Sequence, residues 1–339
     1  MKKRLDALRL ATEDVGSMPL QDDFDEGKKS VDRVIVDKVE AGLDYPCYPQ
    51  LPGTASKPMN MGFQFLLPLS KLDPAIQIRD QHAHLASDQI QETSTAVGVE
   101  RAEYYLTFLR EHGIIQRLRG VKACVTGPFT LGSYLDSANL MNCGASKANV
   151  VRSLARTLSK SCRRLSDLGF DIISIDEPFL SLMLGREHRI LYGYEEQFIV
   201  DMLNALINEI TCLSGVHVCG TITPMVKKIL LASRTDILDH EFSGNPRNLH
   251  VYGSNELELT GKFLAYGCVS SVNPRVETVE EIAKSLQSAL ELYGPRIIVK
   301  PDCGFGGMQG VSDAYVTVLA KLRNMTKASR DVAGRNPQL

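Results

Sequence analysis

The segment Ile172-Ile-Ser-Ile-Asp-Glu-Pro178 decides the fold, because an apolar, β-branched run ends abruptly in two acids and a proline. A run of this kind predicts a buried strand of a parallel sheet. A helical pattern at residues 146–168 precedes it, with Ser146 as the predicted N-cap and Gly169 as the predicted C-terminal stop. A helix leading into a buried strand is typical of α/β proteins.

The same alternation continues along the whole chain of 339 residues. Strands are predicted at residues 8–14, 43–48, 121–126, 171–176, 216–220, 237–242, 268–272 and 296–300. Helices are predicted at residues 28–41, 146–168, 195–212, 224–233, 279–292 and 313–324, and residues 74–112 are predicted to hold more than one further helix. Strand–helix units in this number, without a linker or repeat, predict a (β/α)8 TIM barrel. We expect residues 1–327 to form a single catalytic barrel and residues 328–339 to be a frayed C-terminal tail.

Composition narrows the classes of function. The chain is 44% hydrophobic and 23% charged, as expected for a soluble globular protein, and its net charge of −2 argues against a nucleic-acid partner. The basic start Met1-Lys-Lys-Arg-Leu5 lacks the apolar stretch of a signal peptide, and no apolar run is long enough to span a membrane. Eight scattered cysteines favour reduced thiols, and we expect a cytoplasmic protein.

Four side chains with metal-binding chemistry lie at the ends of predicted strands. His217 and Cys219 are two residues apart on one strand, Glu241 ends the next, and Cys303 follows the last. The carboxyl ends of barrel strands meet at one rim, so an imidazole, a carboxylate and two thiolates would form a tetrahedral zinc site. We expect Glu241, the hard oxygen ligand, to be the one that leaves when a substrate sulfur arrives. The alternatives are structural thiols or another metal.

Other candidate site residues lie at the same predicted rim. Asp176 and Glu177 end a very apolar strand, where a carboxylate is costly unless it is used or paired. Asp176 could bind a substrate ammonium or act in proton transfer, and the alternative is that it caps a helix or pairs with an arginine. Gly16 and Ser17 could allow close approach of the backbone to a ligand, although Gly-Ser-x-Pro alone is more often a turn.

These segments, in this order, resemble the catalytic barrel of the cobalamin-independent methionine synthase family, within the wider uroporphyrinogen decarboxylase-like superfamily of barrels. The segments that carry the resemblance are Val15-Gly-Ser17, Thr126-Gly-Pro128, Ile175-Asp-Glu-Pro178, His217-x-Cys219, Glu241 and Pro301-Asp-Cys-Gly304. They extend over most of the chain, and the metal set is the most specific of them.

The resemblance implies roles for individual residues. His217, Cys219, Glu241 and Cys303 match the zinc ligands of the family. Val15, Gly16 and Ser17 match its contacts to the amino-acid part of homocysteine, and Asp176 matches the carboxylate that holds the substrate ammonium. The implied reaction is methyl transfer to the thiol of homocysteine, which gives methionine.

Three departures from the family pattern bear on the substrates. The chain has the length of only the catalytic barrel of the two-barrel family enzyme, Gln50 stands where the family has a substrate-binding glutamate, and residues 271–275 (Ser-Val-Asn-Pro-Arg) lack the family's acid histidine. These changes resemble short, single-barrel relatives that take the methyl group from a methylated corrinoid protein. A methylcobamide is therefore the expected donor, with a corrinoid protein as partner.

Other functions stay open at this point. A methylcobamide:coenzyme M methyltransferase would use an acceptor without an ammonium group, and the presence of Asp176 favours homocysteine instead. Methyltetrahydrofolate is the alternative donor. A uroporphyrinogen-type decarboxylase would need arginines facing the cavity and no metal. The last alternative is a non-catalytic protein that binds zinc or handles a corrinoid.

Overall fold

The computed structural model describes residues 5–20, 28–51, 53–54, 57–58, 61–79, 82–87, 90–136, 144–184 and 194–336. The helices are α1 (Lys28–Glu40), α2 (Phe63–Leu72), α3 (Glu100–Glu111), α4 (Pro128–Tyr134), α5 (Gly144–Leu168), α6 (Phe179–Met183), α7 (Glu196–Ile207), α8 (Pro224–Ala232), α9 (Ser254–Thr260), α10 (Val279–Tyr293) and α11 (Ala314–Arg335). The strands are β1 (Gly53–Thr54), β2 (Lys57–Pro58), β3 (Ile76–Arg79), β4 (His82–Leu85), β5 (Lys122–Thr126), β6 (Leu135–Asp136), β7 (Ile172–Asp176), β8 (Leu213–His217), β9 (Ile237–Glu241), β10 (Phe263–Val269) and β11 (Ile297–Pro301).

A parallel sheet in the order β11-β10-β9-β8-β7-β5 forms most of the barrel wall. Two extended segments near the start of the chain close the gap between β11 and β5 through isolated parallel bridges. These bridges are Thr12 to Val299, Glu13 to Tyr45, and Cys47 to Lys122. The two segments therefore complete a ring of parallel strands, and the predicted TIM barrel is confirmed.

The interior of the barrel is layered. Its amino-terminal end is filled by an apolar cluster that includes the first residue of several strands: Leu8, Ala11, Tyr45, Ile172, Leu213, Ile237, Phe263, Ala265 and Ile298. A layer of charged side chains, each at most 2% exposed, lies inside the ring: Glu13, Lys122, Asp239 and Lys300. Polar side chains at the carboxyl ends of the strands follow, as expected for the functional end of such a barrel.

Several element boundaries match the predictions. Helix α5 ends at Leu168, before Gly169 with its φ of +98°. Helix α10 begins after Thr278, whose side chain accepts a hydrogen bond from the Glu281 backbone in a capping box. The predicted Ser146 cap is wrong, because α5 begins at Gly144.

Other predictions are wrong. Within residues 74–112 the structure has one long helix, α3, and an antiparallel β3–β4 hairpin in place of the other predicted helices. The alternation of apolar and polar residues in Ile76-Gln-Ile-Arg79 and His82-Ala-His-Leu85 is a strand signal, because in a strand every second side chain lies on the same face. Strands β8 and β10 begin earlier than predicted, at Leu213 and Phe263. Strand β8 also ends earlier, at His217, so Cys219 lies beyond it.

The frayed tail expected from residue 328 is also wrong as far as Arg335, where α11 ends. Ala328 and Val332 are fully buried, and the Ser329 hydroxyl donates to the Leu10 carbonyl. The last turns of this helix therefore pack over the first barrel segment. Residues 337–339 lie outside the described residues.

No helix in the described part of the chain combines the length and the apolar character needed to cross a bilayer.

Candidate active site

A cavity of about 370 Å³ lies at the carboxyl ends of the barrel strands. It is lined by Val15, Ser17, Gln50, Leu51, Met61, Gln64, Arg101, Tyr134, Asp176, Pro178, His217, Cys219, Cys303, Gly304 and Gly306. Most of the residues singled out from the sequence therefore converge on one space. Gly16 is not among the lining residues, and its carbonyl instead accepts hydrogen bonds from Lys38 Nζ and the Gln50 backbone.

His217, Cys219 and Cys303 form a compact cluster on one wall of this cavity. Nε2 of His217 lies 2.9 Å from Sγ of Cys219 and 3.4 Å from Sγ of Cys303, and the two sulfurs are 3.2 Å apart. His217 is the last residue of β8, whereas Cys219 and Cys303 each lie two residues beyond a strand end. The three ligand atoms lie within 4.8 Å of one another, an arrangement that could hold a metal ion.

The cluster is electrostatically polarised. A hydrogen bond with Cys219 and the nearby His217 hold the pKa of the Cys303 thiol well below its ordinary value, although burial opposes this shift. The same hydrogen bond, together with burial, raises the pKa of Cys219. Burial alone would lower the pKa of His217, but Asp239 and Cys303 outweigh it and raise this pKa to about 10. One thiol of this pair therefore loses its proton more easily than an ordinary cysteine, as a metal-ligating thiolate must.

Asp239 fixes the orientation of the imidazole and was not identified from the sequence. Its Oδ1 lies 2.7 Å from Nδ1 of His217, on the neighbouring strand and in register with it. Lys300 Nζ also lies 2.8 Å from that oxygen, and Lys122 Nζ lies 3.4 Å from Oδ2. Burial would raise the pKa of Asp239, but the three cations hold it well below its ordinary value. An ionised Asp239 keeps a proton on Nδ1 and leaves Nε2 to face the sulfurs.

Glu241 stands apart from the cluster. It is the half-buried last residue of β9, and its Oε1 accepts a 3.3 Å hydrogen bond from Asn245 Nδ2. In the described residues the group of mutually close ligand atoms comprises His217, Cys219 and Cys303 without it. The structure therefore brings together three of the four predicted metal ligands and leaves the fourth on a neighbouring strand end.

The two acids after β7 have different environments. Asp176 is 1% exposed, its Oδ1 accepts from the Ser174 hydroxyl, and its Oδ2 has no partner among the described residues. Burial raises the pKa of Asp176 to about 6, with His217 acting in the opposite direction. Glu177 instead accepts hydrogen bonds from the backbone of Phe129 and from Thr130 at the start of α4. Glu177 is thus a capping residue, and Asp176 is the acid available to a ligand.

Gln50 and Ser17 contribute the neutral polar groups of the cavity. Nε2 of Gln50 is buried without a partner among the described residues, so it can donate to a ligand. Oγ of Ser17 accepts from the Gly306 backbone 3.2 Å away. A Cβ atom at Gly304 would lie 2.0 Å from this oxygen, so only glycine fits directly after Cys303.

Only weak sequence signals mark the site residues that were missed. Asp239 and Lys300 are charged residues inside apolar strands, which indicates paired buried charges. Arg101, near the start of α3, carried no local motif, because its place in the cavity depends on how α3 packs beside the barrel mouth.

Comparisons with known proteins extend over most of the chain. Residues 94–331 match the family described as "Cobalamin-independent synthase, Catalytic domain". The chain is 32% identical over 218 residues to the methionine synthase of Methanothermobacter thermautotrophicus, a match that covers 62% of this chain and 63% of that protein. It is 25% identical over 312 residues to the methionine synthase of Methanothermobacter marburgensis, covering 91% of this chain and 90% of that protein.

Solved structures show the same fold. A B12-independent methionine synthase from Shewanella sp. W3-18-1, solved in complex with selenomethionine, superposes with a TM-score of 0.71 at 19% identity, covering 97% of this chain and 99% of that chain. A methyltransferase from Methanosarcina mazei superposes with a TM-score of 0.60 at 15% identity, covering 89% and 85%.

Proposed function

Because the chain belongs to the family of the cobalamin-independent synthase catalytic domain, we propose that it is a zinc-dependent methyltransferase that methylates the thiol of homocysteine and releases methionine. The relatives named methionine synthase support this activity. The observation that carries the proposal is the His217, Cys219 and Cys303 cluster. It lies in the same cavity as the buried Oδ2 of Asp176, which has no partner within the described part of the chain.

The donor set fits zinc. One imidazole nitrogen and two sulfurs are borderline or soft ligands, which zinc prefers and magnesium or calcium do not. Zinc–ligand bonds of about 2.0–2.3 Å place tetrahedral ligand atoms roughly 3.5–3.8 Å apart. The separations of 2.9, 3.2 and 3.4 Å would need only a small expansion. Bound zinc lowers the pKa of a coordinated thiol and so provides a thiolate near neutral pH.

Glu241 remains our candidate for a fourth, exchangeable ligand. It ends the strand that carries Asp239, next to the strand of His217, and its charge contributes, after the hydrogen bond to Cys303 and burial, to the raised pKa of Cys219. A rotation away from Asn245 would be required for its carboxylate to reach the cluster. A ligand that is held by a neighbour when not coordinating suits a position that a substrate sulfur must take over.

The residues of this chain have separate roles in binding the acceptor. We assign the ammonium of homocysteine to Oδ2 of Asp176, because a buried carboxylate with a pKa near 6 is ionised at neutral pH and needs a cation. Val15 and Ser17, which line the cavity on either side of Gly16, and the Gln50 amide would hold the carboxylate of the amino acid. These contacts would place the thiol toward Cys303 and His217.

The donor prediction has less support than the acceptor prediction. The matching family is described as cobalamin-independent, which does not favour a methylcobamide or a corrinoid protein. Methyltetrahydrofolate is therefore tested beside methylcobalamin. A uroporphyrinogen-type decarboxylase is disfavoured, because Arg101 is the single arginine among the described residues that line the cavity.

Methyl transfer with two acceptors and two donors tests the proposal. Purified protein loaded with zinc would be incubated with homocysteine or coenzyme M, and with methylcobalamin or methyltetrahydrofolate. We expect methionine from homocysteine with at least one donor, and loss of product when zinc is removed by a chelator. Methylation of coenzyme M but not of homocysteine, or turnover that is unaffected by removing all metal, would contradict it.

A further inference from the structure

Arg101 is a cation on the wall of the cavity, and it has no partner among the described residues. It is half-buried, it lines the cavity, and no hydrogen bond or ion pair joins it to another residue in the part of the chain that the structure describes. Other arginines nearby are engaged: Arg110 on the same helix donates to the Leu168 carbonyl, and Arg164 pairs with Glu103.

A half-buried guanidinium without a counter-charge favours an anionic ligand. Part of its hydration is lost to the protein, and no carboxylate among the described residues replaces it, so a bound anion would recover that free energy. Guanidinium groups present paired N–H donors that match the oxygens of a carboxylate or phosphate. The group that fits beside Arg101 is therefore an oxyanion.

The position of Arg101 indicates which substrate carries this group. We call one side of the cavity the thiol wall; it is formed by Ser17, His217, Cys219, Cys303, Gly304 and Gly306. Its members are held together by the contacts of the two sulfurs and by the hydrogen bond from the Gly306 backbone to Ser17. Arg101 instead follows Gly98, whose carbonyl accepts a hydrogen bond from Gln64 of α2, another lining residue. The helices α2 and α3 thus supply the wall on which Arg101 lies.

Methyl transfer requires the two substrates to approach the methyl group from opposite sides. The sulfur electron pair forms the new S–C bond, the donor atom keeps the electron pair of the bond that breaks, and the thiol proton is released. In the proposed function the acceptor occupies the thiol wall, with its ammonium at Asp176 and its carboxylate near Ser17 and Gln50. The wall that carries Arg101 is then left to the donor.

We propose that Arg101 binds an oxyanion group, a carboxylate or a phosphate, of the methyl donor. The proposal rests on the proposed methyl transfer and adds a property of the second substrate. A reduced folate carries glutamate carboxylates and a methylcobamide carries a phosphodiester, so one chemistry covers both sources.

Paired donors with and without the anionic group test this inference. Methyltetrahydrofolate is compared with 5-methyl-6,7-dimethyltetrahydropterin, which lacks the carboxylates, and methylcobalamin with methylcobinamide, which lacks the phosphate. KM for donor and for homocysteine would be measured for the wild type, Arg101→Gln, Arg101→Lys and the control Arg110→Gln. The pair in which the wild type prefers the anionic member identifies the source of the oxyanion.

We expect Arg101→Gln to raise KM for the anionic donor about tenfold to hundredfold, the loss typical of a charged hydrogen bond, and to leave KM for homocysteine within about twofold. Arg101→Lys should retain part of the affinity, and Arg110→Gln should match the wild type. With the donor that lacks the anion, Arg101→Gln should have no further effect.

Three results would overturn the inference: an equal loss with the donor that lacks the anionic group, a rise in KM for homocysteine instead, or no change at all. Turnover by the wild type with any of these donors would leave the proposed function standing in each case. If the wild type transfers no methyl group, the proposed function fails, and equilibrium dialysis of methyltetrahydrofolate and methylcobalamin against wild type and Arg101→Gln still decides the role of Arg101.

Discussion

Replacing Asp239 by asparagine should weaken zinc binding without removing any ligand atom. The Asp239 carboxylate lies 2.7 Å from Nδ1 of His217 and keeps the proton on that nitrogen, so that Nε2 is the atom that would bind metal in exchange for its own proton. An asparagine that retained the oxygen toward His217 would turn its NH2 group toward Lys122, whose ammonium lies 3.4 Å from Oδ2. The opposite orientation would point the NH2 group at both Nδ1 and Lys300. Either orientation is unfavourable for the imidazole tautomer or for a buried lysine.

The expected loss is about tenfold to hundredfold in zinc affinity, as found for partners of metal-bound histidines, or about 1.4–2.7 kcal/mol. The apoprotein should also lose stability, by about 3–5 kcal/mol, because the buried cations lose their shared counter-charge. Zinc affinity would be measured by competition with a chromophoric chelator, and stability of the apoprotein by urea unfolding.

Asp236→Asn is the matched control. Asp236 directly precedes the same strand and accepts hydrogen bonds from the backbone and hydroxyl of Ser214, away from the cluster. This control should lower stability and leave zinc affinity unchanged. Zinc affinity of Asp239→Asn within twofold of the wild type would refute the assigned orienting role.

The remaining predictions concern the ligands and the acceptor site. Cys219→Ser and Cys303→Ser should each reduce zinc from about one equivalent per chain to a small fraction by elemental analysis, and full retention of zinc by both variants would reject the metal site. Asp176→Asn should raise KM for homocysteine about tenfold to hundredfold while zinc content stays constant; unchanged homocysteine kinetics would instead favour an acceptor without an amino group. The pKa of Asp176 is raised in the folded state to about 6, so the wild type loses stability as the pH rises through that value. Zinc-free Asp176→Asn should therefore be up to about 3 kcal/mol more stable than the wild type at pH 8 and differ little from it at pH 4. Urea unfolding at both pH values would measure this difference, and a difference independent of pH would contradict the prediction. Gln50→Glu should tighten homocysteine binding modestly in initial-rate assays if the side chain lies beside the ammonium. It should weaken homocysteine binding if the side chain lies beside the carboxylate, and the Gln50 NH2 group, which has no partner among the described residues, indicates this second position.

The barrel was predictable because its central strands are buried on both sides. A segment such as β7 can only be apolar and β-branched, and its end is marked by Asp176 and Glu177. The early β3–β4 hairpin was missed because polar residues on its outer face made the stretch resemble exposed helices. The last turns of α11 were missed because Ala328 and Ser329 carry little apolar signal, although small size suits close packing against the first strand segment.

Much of the site was predictable from strand ends alone. The carboxyl ends of all strands in a closed barrel meet at one rim, so the sequence alone predicts that His217, Cys219 and Cys303 lie together. The separation of Glu241 from these three side chains depends on the rotamer of Glu241 and on its hydrogen bond with Asn245, and neither can be read from the sequence. Asp239 was missed for a related reason, since its role arises from register with His217 on the adjacent strand.

Closure of the barrel sets an order of events during synthesis of the chain. The Ser17 hydroxyl accepts a hydrogen bond from Gly306, 289 residues later in the chain, and Thr12 forms a parallel bridge with Val299. The first strand segment therefore has no neighbour on one side until Val299 has been synthesised. Contacts at such separation close slowly, because the loop entropy is lost before the contacts form. Cys303 reaches His217 and Cys219 only when β11 joins the barrel, so the onset of metal binding would report the pairing of the first and last barrel segments rather than the formation of the helices.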